Sequence, residues 1–314
     1  MTAKGRQAQY SGTEKVTSAL AFDEDALAGY LKTHLDGYAG PLTVSRFRGG
    51  QSNPTYRLDT PGRSYVLRRK PPGKLLASAH AIDREFKVIS ALAPTGFPVP
   101  QPFLLCMDET LIGTPFYVME MVAGTVFWEP HIPAVTPSQR AAIFDQLNET
   151  LACLHSLDVD ALGLAGFGKP QGYVARQISR WSKQYKASQT SKIPEMDRLM
   201  DWLPDAAPSS GDVALVHGDF RLDNCVIDTA TWRIAAVLDW ELSTLGDPVA
   251  DFTYHLMQWQ MPKSRSGVGV GTLKGREKQA PGIPAMEDYT AAYCARTQRK
   301  SIADLEIWLA YNFF

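Results

Sequence analysis

Three residues of this chain have the types and spacing needed to move a phosphoryl group. Asp219 and Asn224 lie in His217-Gly218-Asp219-Phe220-Arg221-Leu222-Asp223-Asn224, and Asp239 follows in Val237-Leu238-Asp239-Trp240-Glu241. Transfer from a nucleotide needs one carboxylate beside the accepting hydroxyl and oxygen ligands for magnesium beside the phosphates. An Asp, an Asn five residues on and an Asp fifteen beyond that reproduce H-x-D-x-x-x-x-N followed by a metal-binding Asp. In that pattern Asp219 orients the hydroxyl and takes its proton, while Asn224 and Asp239 bind the metal. Asp and Asn also dominate turns. Here, however, a strand-like run at Val213–Val216 leads in, and a hairpin of Cys225–Ile227 with Ile234–Leu238 delivers Asp239. Glu241 reads equally as a ligand for a second magnesium or as a solvent-facing side chain. His217 reads as a turn-fixing residue bonded to backbone. A metal hydrolase on His217, Asp219, Asp239 and His255 is the chemical competitor, and it leaves the basic strand upstream unexplained.

Several elements must hold these groups. Asp247-Pro248 reads as a helix start, with Asp247 as cap and Pro248 in the first turn. Asp251, one turn in, is expected to anchor the loop through backbone hydrogen bonds. Upstream, Arg46 to Pro54 forms a glycine-containing turn between strands, where Gly49, Gly50, Ser52 and Asn53 let backbone N–H groups approach phosphates. It is neither G-x-G-x-x-G nor a Walker A sequence. The strand Tyr65–Lys70 supplies a phosphate-pairing cation. Arg68 is favoured, because its fork can hold two phosphate oxygens, and Lys70 on the same face is the alternative. Glu85, on a helix over 80–92, is the ion-pair partner. Tyr117–Val122 reads as the segment joining two lobes, with the backbone near Glu120 and Val122 binding adenine.

The remaining pattern is α+β. A helix is expected over 22–36 and strands over 44–48, 55–59, 64–69, 103–107 and 116–120. Residues 1–20 read as disordered, 21–120 as a nucleotide-binding sheet lobe, and 121–314 as a mainly helical lobe carrying the catalytic loop and substrate site. Thr136-Pro137-Ser138-Gln139 is a capping box. Val174, Ile178, Trp181 and Tyr185 mark a helix over 173–187 with a buried aromatic side. Lys263–Pro284 reads as a mobile loop, and the apolar end around Trp308–Phe314 as a helix that continues. The 314 residues exceed one usual core. With 45% hydrophobic residues, 21% charged residues and a net charge of −1, nothing recruits nucleic acid or membrane. Cys106, Cys153, Cys225 and Cys294 are scattered, against a disulfide framework or zinc site. The polar start and the lack of a long apolar window lead to the expectation of a cytoplasmic enzyme.

The chain resembles the aminoglycoside phosphotransferase and choline kinase-like superfamily from about residue 25 onward. The carrying residues are His217-Gly218-Asp219 to Asn224, Leu238-Asp239-Trp240-Glu241 and Gly246-Asp247-Pro248. Gly-Gly-Gln-Ser-Asn-Pro-Thr, Tyr-Val-Leu-Arg-Arg-Lys-Pro-Pro-Gly and Asp-Arg-Glu-Phe are similar to one branch. That branch is the kinase domain fused to acyl-CoA dehydrogenase family members ten and eleven, with its free-standing bacterial relatives. The resemblance implies a protein-kinase-like bilobal fold, ATP with Mg2+, and a small-molecule hydroxyl acceptor, which in the fused relatives is a hydroxyacyl-CoA. Aminoglycoside or choline-type acceptors, and a catalytically silent nucleotide-binding domain, are the alternatives. Only seven residues separate Asp239 from Asp247, which leaves no room for the activation segment of a protein kinase. Arg68 departs from the lysine of many relatives. Lys263, Arg265, Lys274, Arg276 and Lys278 offer cations to CoA phosphates.

Overall fold

The structure is a computed structural model that describes residues 5–49, 53–73, 81–262 and 271–314. Gly50, Ser52, Lys263 and Arg265 therefore lie outside the described residues. The chain forms two compact units, Met1–Glu129 with Cys225–Glu241, and Pro130–Asn224 with Leu242–Phe314. The division falls after Glu129 rather than 120, and the first unit takes in the later hairpin.

An antiparallel six-stranded sheet, ordered β1-β2-β3-β4-β6-β5, organises the first unit. Its strands are β1 (Thr13–Glu14), β2 (Thr43–Phe47), β3 (Thr55–Asp59), β4 (Ser64–Arg69), β5 (Pro102–Cys106) and β6 (Phe116–Glu120). Period two decides what each face carries. Tyr65 and Leu67 of β4 join Tyr56, Leu58, Phe116 and Val118 in a core capped by Leu27 and Leu31 of helix α2 (Glu24–His34). The opposite face of β4 carries Arg68, which reaches helix α3 (Ile82–Leu92). α2 starts where Asp23 accepts from the Ala26 N–H at 2.8 Å, with Glu24 and Asp25 favoured by the helix dipole. A one-turn helix α4 (Glu109–Ile112) links β5 to β6.

Residues 6–20 are ordered, against the expectation of disorder. They form helix α1 (Arg6–Tyr10), and β1 pairs with β2. Gln7 holds them by donating to Val126 O and accepting from Trp128 N–H, at 2.9 and 3.0 Å. Leu20 O accepts from Tyr56 and Arg69. These are bonds of side chains to backbone, which hydrophobic periodicity cannot report.

The second unit is mainly helical. Helix α5 (Pro137–His155) opens on the expected capping box. Helix α6 (Tyr173–Ser188) buries Val174 and Ile178 alone, and Trp181 is 40% exposed beneath the Arg180 guanidinium rather than in the core. Helix α7 (Pro194–Ala206) lies outside the elements expected above, although Met196, Leu199, Met200 and Leu203 recur at helical spacing; Leu203 is its one buried residue. Strand β7 (Ala214–Val216) leads into the loop His217–Asn224. The chain then passes through the hairpin β8 (Cys225–Asp228) and β9 (Arg233–Val237), held in the first unit by Val237 N–H to Pro98 O and by a Thr125–Ile227 bridge. Cys225 and Val237 are register partners at its open end, and Asp239 follows two residues beyond Val237.

Strand β10 (Thr244–Gly246) returns to pair with β7, and helix α8 (Pro248–Gln260) follows directly. Helices α9 (Met286–Arg296) and α10 (Leu305–Phe313) pack on α5 and α8, respectively. The described part of the expected mobile loop, 271–284, is packed. Leu273 and Ala280 are buried, and the buried Arg140 donates to Pro281 O. Gly and Pro here serve tight turns: Gly282 has φ +96°, and a Cβ there would lie 2.0 Å from Pro137 O. Among the described residues no helix is long and apolar enough to cross a membrane.

The start of α8 rests on Asp247. One carboxylate oxygen accepts from Val249 N–H at 2.9 Å and Ser210 O–H at 2.8 Å, and the other from Ser210 N–H at 2.9 Å. Asp247→Ala removes a cap and strands buried donors, so stability should fall by about 2 kcal/mol or more. Urea unfolding measures this, and a midpoint within error of the wild type would contradict it.

Candidate active site

In the first unit the chemistry gathers around Arg68. Its Nε donates to Glu85 Oε2 at 2.9 Å, its Nη2 donates to Asp239 Oδ1, and Glu241 Oε2 lies 3.8 Å from the same nitrogen. Trp240 N–H donates to Glu85 Oε1 at 3.2 Å, and the fully buried Asn53 donates to Glu241 Oε2 at 3.0 Å. One guanidinium thus faces three carboxylates. Burial alone would favour a neutral Arg68, but Glu85, Asp239, Tyr117 and Glu241 overcome it and hold its pKa above the ordinary value. Burial pushes the Glu85 carboxyl up to about 7, with Arg68 opposing and Asp239 and Glu241 adding to the rise. Asp239 adopts φ +66°, a left-handed conformation that costs a residue with a side chain roughly 1–2 kcal/mol. Such strain persists where surrounding bonds over-determine it, and the Arg68 bond is one of them.

The other candidates of this unit divide. A Cβ on Gly49 would lie 2.4 Å from Trp128 Cη2, so the indole requires glycine there. Glu120 sits at the end of β6, where its N–H donates to Gln101 O at 2.8 Å and its carboxylate accepts from Gln101 N–H at 3.3 Å. Val122 lies two residues past that strand, outside the ladder. Arg69 is spent on Tyr56, Ile112 O and Leu20 O. The Lys70 N–H bonds Pro115 O at 3.2 Å.

In the second unit, one face of α8 holds four consecutive loop residues. Asp251 Oδ2 accepts from His217 N–H at 2.7 Å, and its Oδ1 from Gly218 N–H at 2.9 Å. One turn on, the Tyr254 hydroxyl donates to Asp219 Oδ1, and His255 Nδ1 lies 3.2 Å from Phe220 O. Inside the loop His217 Nδ1 accepts from Asp219 N–H at 3.2 Å, which gives His217 the turn-fixing part. Asn224 Nδ2 donates to Asp219 O at 2.8 Å and to its Oδ2 at 3.0 Å. Arg221 Nε lies 3.5 Å from Asp219 Oδ1, while its Nη2 bonds Asp223 at 3.0 Å. Gly218 has φ +83°, and a Cβ there would press on Leu242 at 2.9 Å.

Behind the loop, His155 bridges Asp251 Oδ2 at 3.1 Å and the Tyr293 hydroxyl at 2.7 Å. Burial works against an ionised Asp251, but the His155 bond, the His155 and His217 charges and the His217 N–H together hold its pKa below the usual value. His255 is spent on both nitrogens, one against Phe220 O and the other 2.9 Å from the Tyr289 hydroxyl, which removes it from any metal-ligand set. Tyr254 and His155 escaped the sequence reading. The signal for Tyr254 was the spacing of Asp251, Tyr254 and His255, which places all three on one helix face.

The profile of the phosphotransferase enzyme family matches residues 43–297. The chain belongs to that family. It is 44% identical over 306 residues to mouse acyl-CoA dehydrogenase family member 10, covering 96% of this chain and 28% of that protein. To human acyl-CoA dehydrogenase family member 11 it is 43% identical over 299 residues, covering 93% and 38%. The chain therefore spans well under half the length of these relatives. A Ralstonia eutropha structure described provisionally as an aminoglycoside phosphotransferase superposes with a TM-score of 0.81 at 44% identity, covering 93% of this chain and 85% of that one. An aminoglycoside-3'-phosphotransferase of type VIII, at 20% identity and a TM-score of 0.60, shares the fold. The α+β fold of this phosphotransferase, an antiparallel sheet followed by a helical part, is that of the family.

The loop of this phosphotransferase carries a pH-dependent support. Burial lowers the His255 pKa from 6.5 to about 4. Below about pH 6.5 the unfolded chain takes the proton that the folded chain refuses, so the contribution of His255 is complete above that pH. It is lost as pH falls to about 4, by up to about 3 kcal/mol. Denaturant unfolding between pH 4 and 7 should show a shallower acid loss in His255→Gln than in wild type, and identical slopes would contradict the assignment.

Proposed function

We propose that this chain transfers the γ-phosphoryl group of ATP, with magnesium, to the hydroxyl of a small molecule, and that the acceptor is a hydroxyacyl-CoA. The observation that carries the reading is the Asp219 carboxylate. It is fixed through Asn224 and Tyr254 in a loop that α8 holds residue by residue. In the transfer, the acceptor oxygen forms its bond to phosphorus as the bond from phosphorus to the ADP oxygen breaks, and the hydroxyl proton passes to Asp219. Asn224 spends its amide N–H groups on Asp219, which leaves Oδ1 as its ligand atom. Magnesium beside substrate phosphates needs only one or two protein oxygens, which Asn224 in its unit and Asp239 in the other each have the ligand chemistry to supply. When bound, the metal neutralises charge on the phosphates. Glu241 is tied to Asn53, which favours a part in shaping this carboxylate group over an open solvent-facing position.

Two considerations support the nucleotide and the acceptor. Aminoglycoside phosphotransferases with the same fold are described in complex with GDP. The relatives at 43–44% identity carry the name acyl-CoA dehydrogenase, so an acyl-CoA is the metabolite that a shared chain would have at hand. A panel of hydroxyacyl-CoA esters with γ-labelled ATP tests the reading, with magnesium varied. Asp219→Asn should lower product formation by about a hundredfold or more. Equal product from wild type and variant would sink it, and transfer to aminoglycosides or choline alone would move the acceptor assignment.

A further inference from the structure

Each oxygen of the Asp219 carboxylate already accepts from a neutral donor, and the Arg221 Nε lies 3.5 Å from Oδ1. Oδ2 accepts from Asn224, and Oδ1 accepts a short hydrogen bond from the Tyr254 hydroxyl. A residue that orients an acceptor alcohol needs an oxygen within hydrogen-bond reach of the alcohol proton. The phenol is itself an O–H group held in that pose. Folding does not explain its placement, because Asp251 and His255 fix the loop on either side of Asp219 without touching the carboxylate. Tyr254 is mounted mid-way along α8, on the same face as those two anchors, so its backbone cannot drift from Asp219. The Asp219 side chain remains 22% exposed, so water can reach what the phenol does not cover. Burial and the Asp219 charge hold the phenol pKa well above its ordinary value, so it stays a donor.

We propose that Tyr254 is a positioning residue that occupies the acceptor's seat on Asp219 Oδ1 and yields it only to an alcohol able to displace it. This rests on the phosphotransferase reading above. While the phenol is seated, water has to compete with it for alignment by Asp219 Oδ1 before it can attack ATP. That attack would form the bond from the water oxygen to phosphorus, break the bond to ADP and pass the water proton to Asp219. The chain thereby discriminates an alcohol from water at the Asp219 carboxylate itself.

The test compares wild type, Tyr254→Phe, Asp219→Asn and the double variant in magnesium ATP. It measures phosphate release without acceptor and transfer to the hydroxyacyl-CoA panel. Losing a hydrogen bond to a charged group should raise acceptor-free release in Tyr254→Phe by about tenfold or more. The double variant should abolish that rise, and the acceptor KM should fall because no phenol has to be displaced. A second variant, Tyr254→Leu, gives the same readout should Tyr254→Phe not fold. Wild-type release in the tyrosine variants, with transfer still lost in Asp219→Asn, would overturn this inference alone. Undiminished transfer in Asp219→Asn would instead overturn the phosphotransferase reading, and this inference with it.

Discussion

The first unit depends on one guanidinium answering three carboxylates. Glu85 is almost wholly buried, and Asp239 and Glu241 each retain about a fifth of their side-chain surface. Three such anions held together are repulsive, and removing the partner of a buried charge typically costs about 3–5 kcal/mol. Arg68 offsets this from the interior of the sheet, and its shape matters as much as its charge. Nε addresses Glu85 while Nη2 addresses Asp239 and approaches Glu241. A lysine ammonium is one point of charge on a flexible stem and cannot present two directed donors along separate edges. The arginine at this position therefore suits the carboxylates that surround it, and it ties β4, α3 and the segment after β9 to one another.

The second unit solves a different problem, that of holding an irregular loop without a sheet ladder. Helix periodicity supplies the answer. Asp251, Tyr254 and His255 lie on one face of α8, and they take in turn the His217 and Gly218 N–H groups, the Asp219 carboxylate and the Phe220 carbonyl. Asp251 can do this because His155 and the two N–H groups stabilise its charge in a buried place. The N-terminus of α8 is in turn fixed by Asp247, so a rigid cap, a helix face and the loop His217–Asn224 form one chain of dependence.

Much of this is legible in the sequence. Strands β3, β4 and β6 fall where alternation and turn residues put them, and the Thr136 capping box is present. The anchoring part of Asp251, the ion pair of Arg68 with Glu85 and the bonding of His217 to the loop were also readable. Each rests on local chemistry, in a cap, a strand face or a short motif. What escaped was decided by distant partners. Residues 6–20 are ordered by Gln7 and Leu20 O bonding far along the chain. Trp181 stays exposed because α6 packs through its first turns only. Gly49 looked like a phosphate-approach glycine, but its nearest demand is the Trp128 ring. Tyr254 belongs to no motif of its own, although its spacing from Asp251 points to the loop.

Arg68 and Asp239 are bonded to one another, and in the proposed phosphoryl transfer they act as a unit at the nucleotide's cation and phosphates rather than as two separate surface charges. A double-mutant cycle on the binding of magnesium ATP, with Arg68→Lys, Asp239→Asn and the pair, tests it most directly by calorimetry. The account predicts that the two changes are non-additive, with a coupling of about 1 kcal/mol or more. Losses that add within a few tenths of a kcal/mol would contradict it.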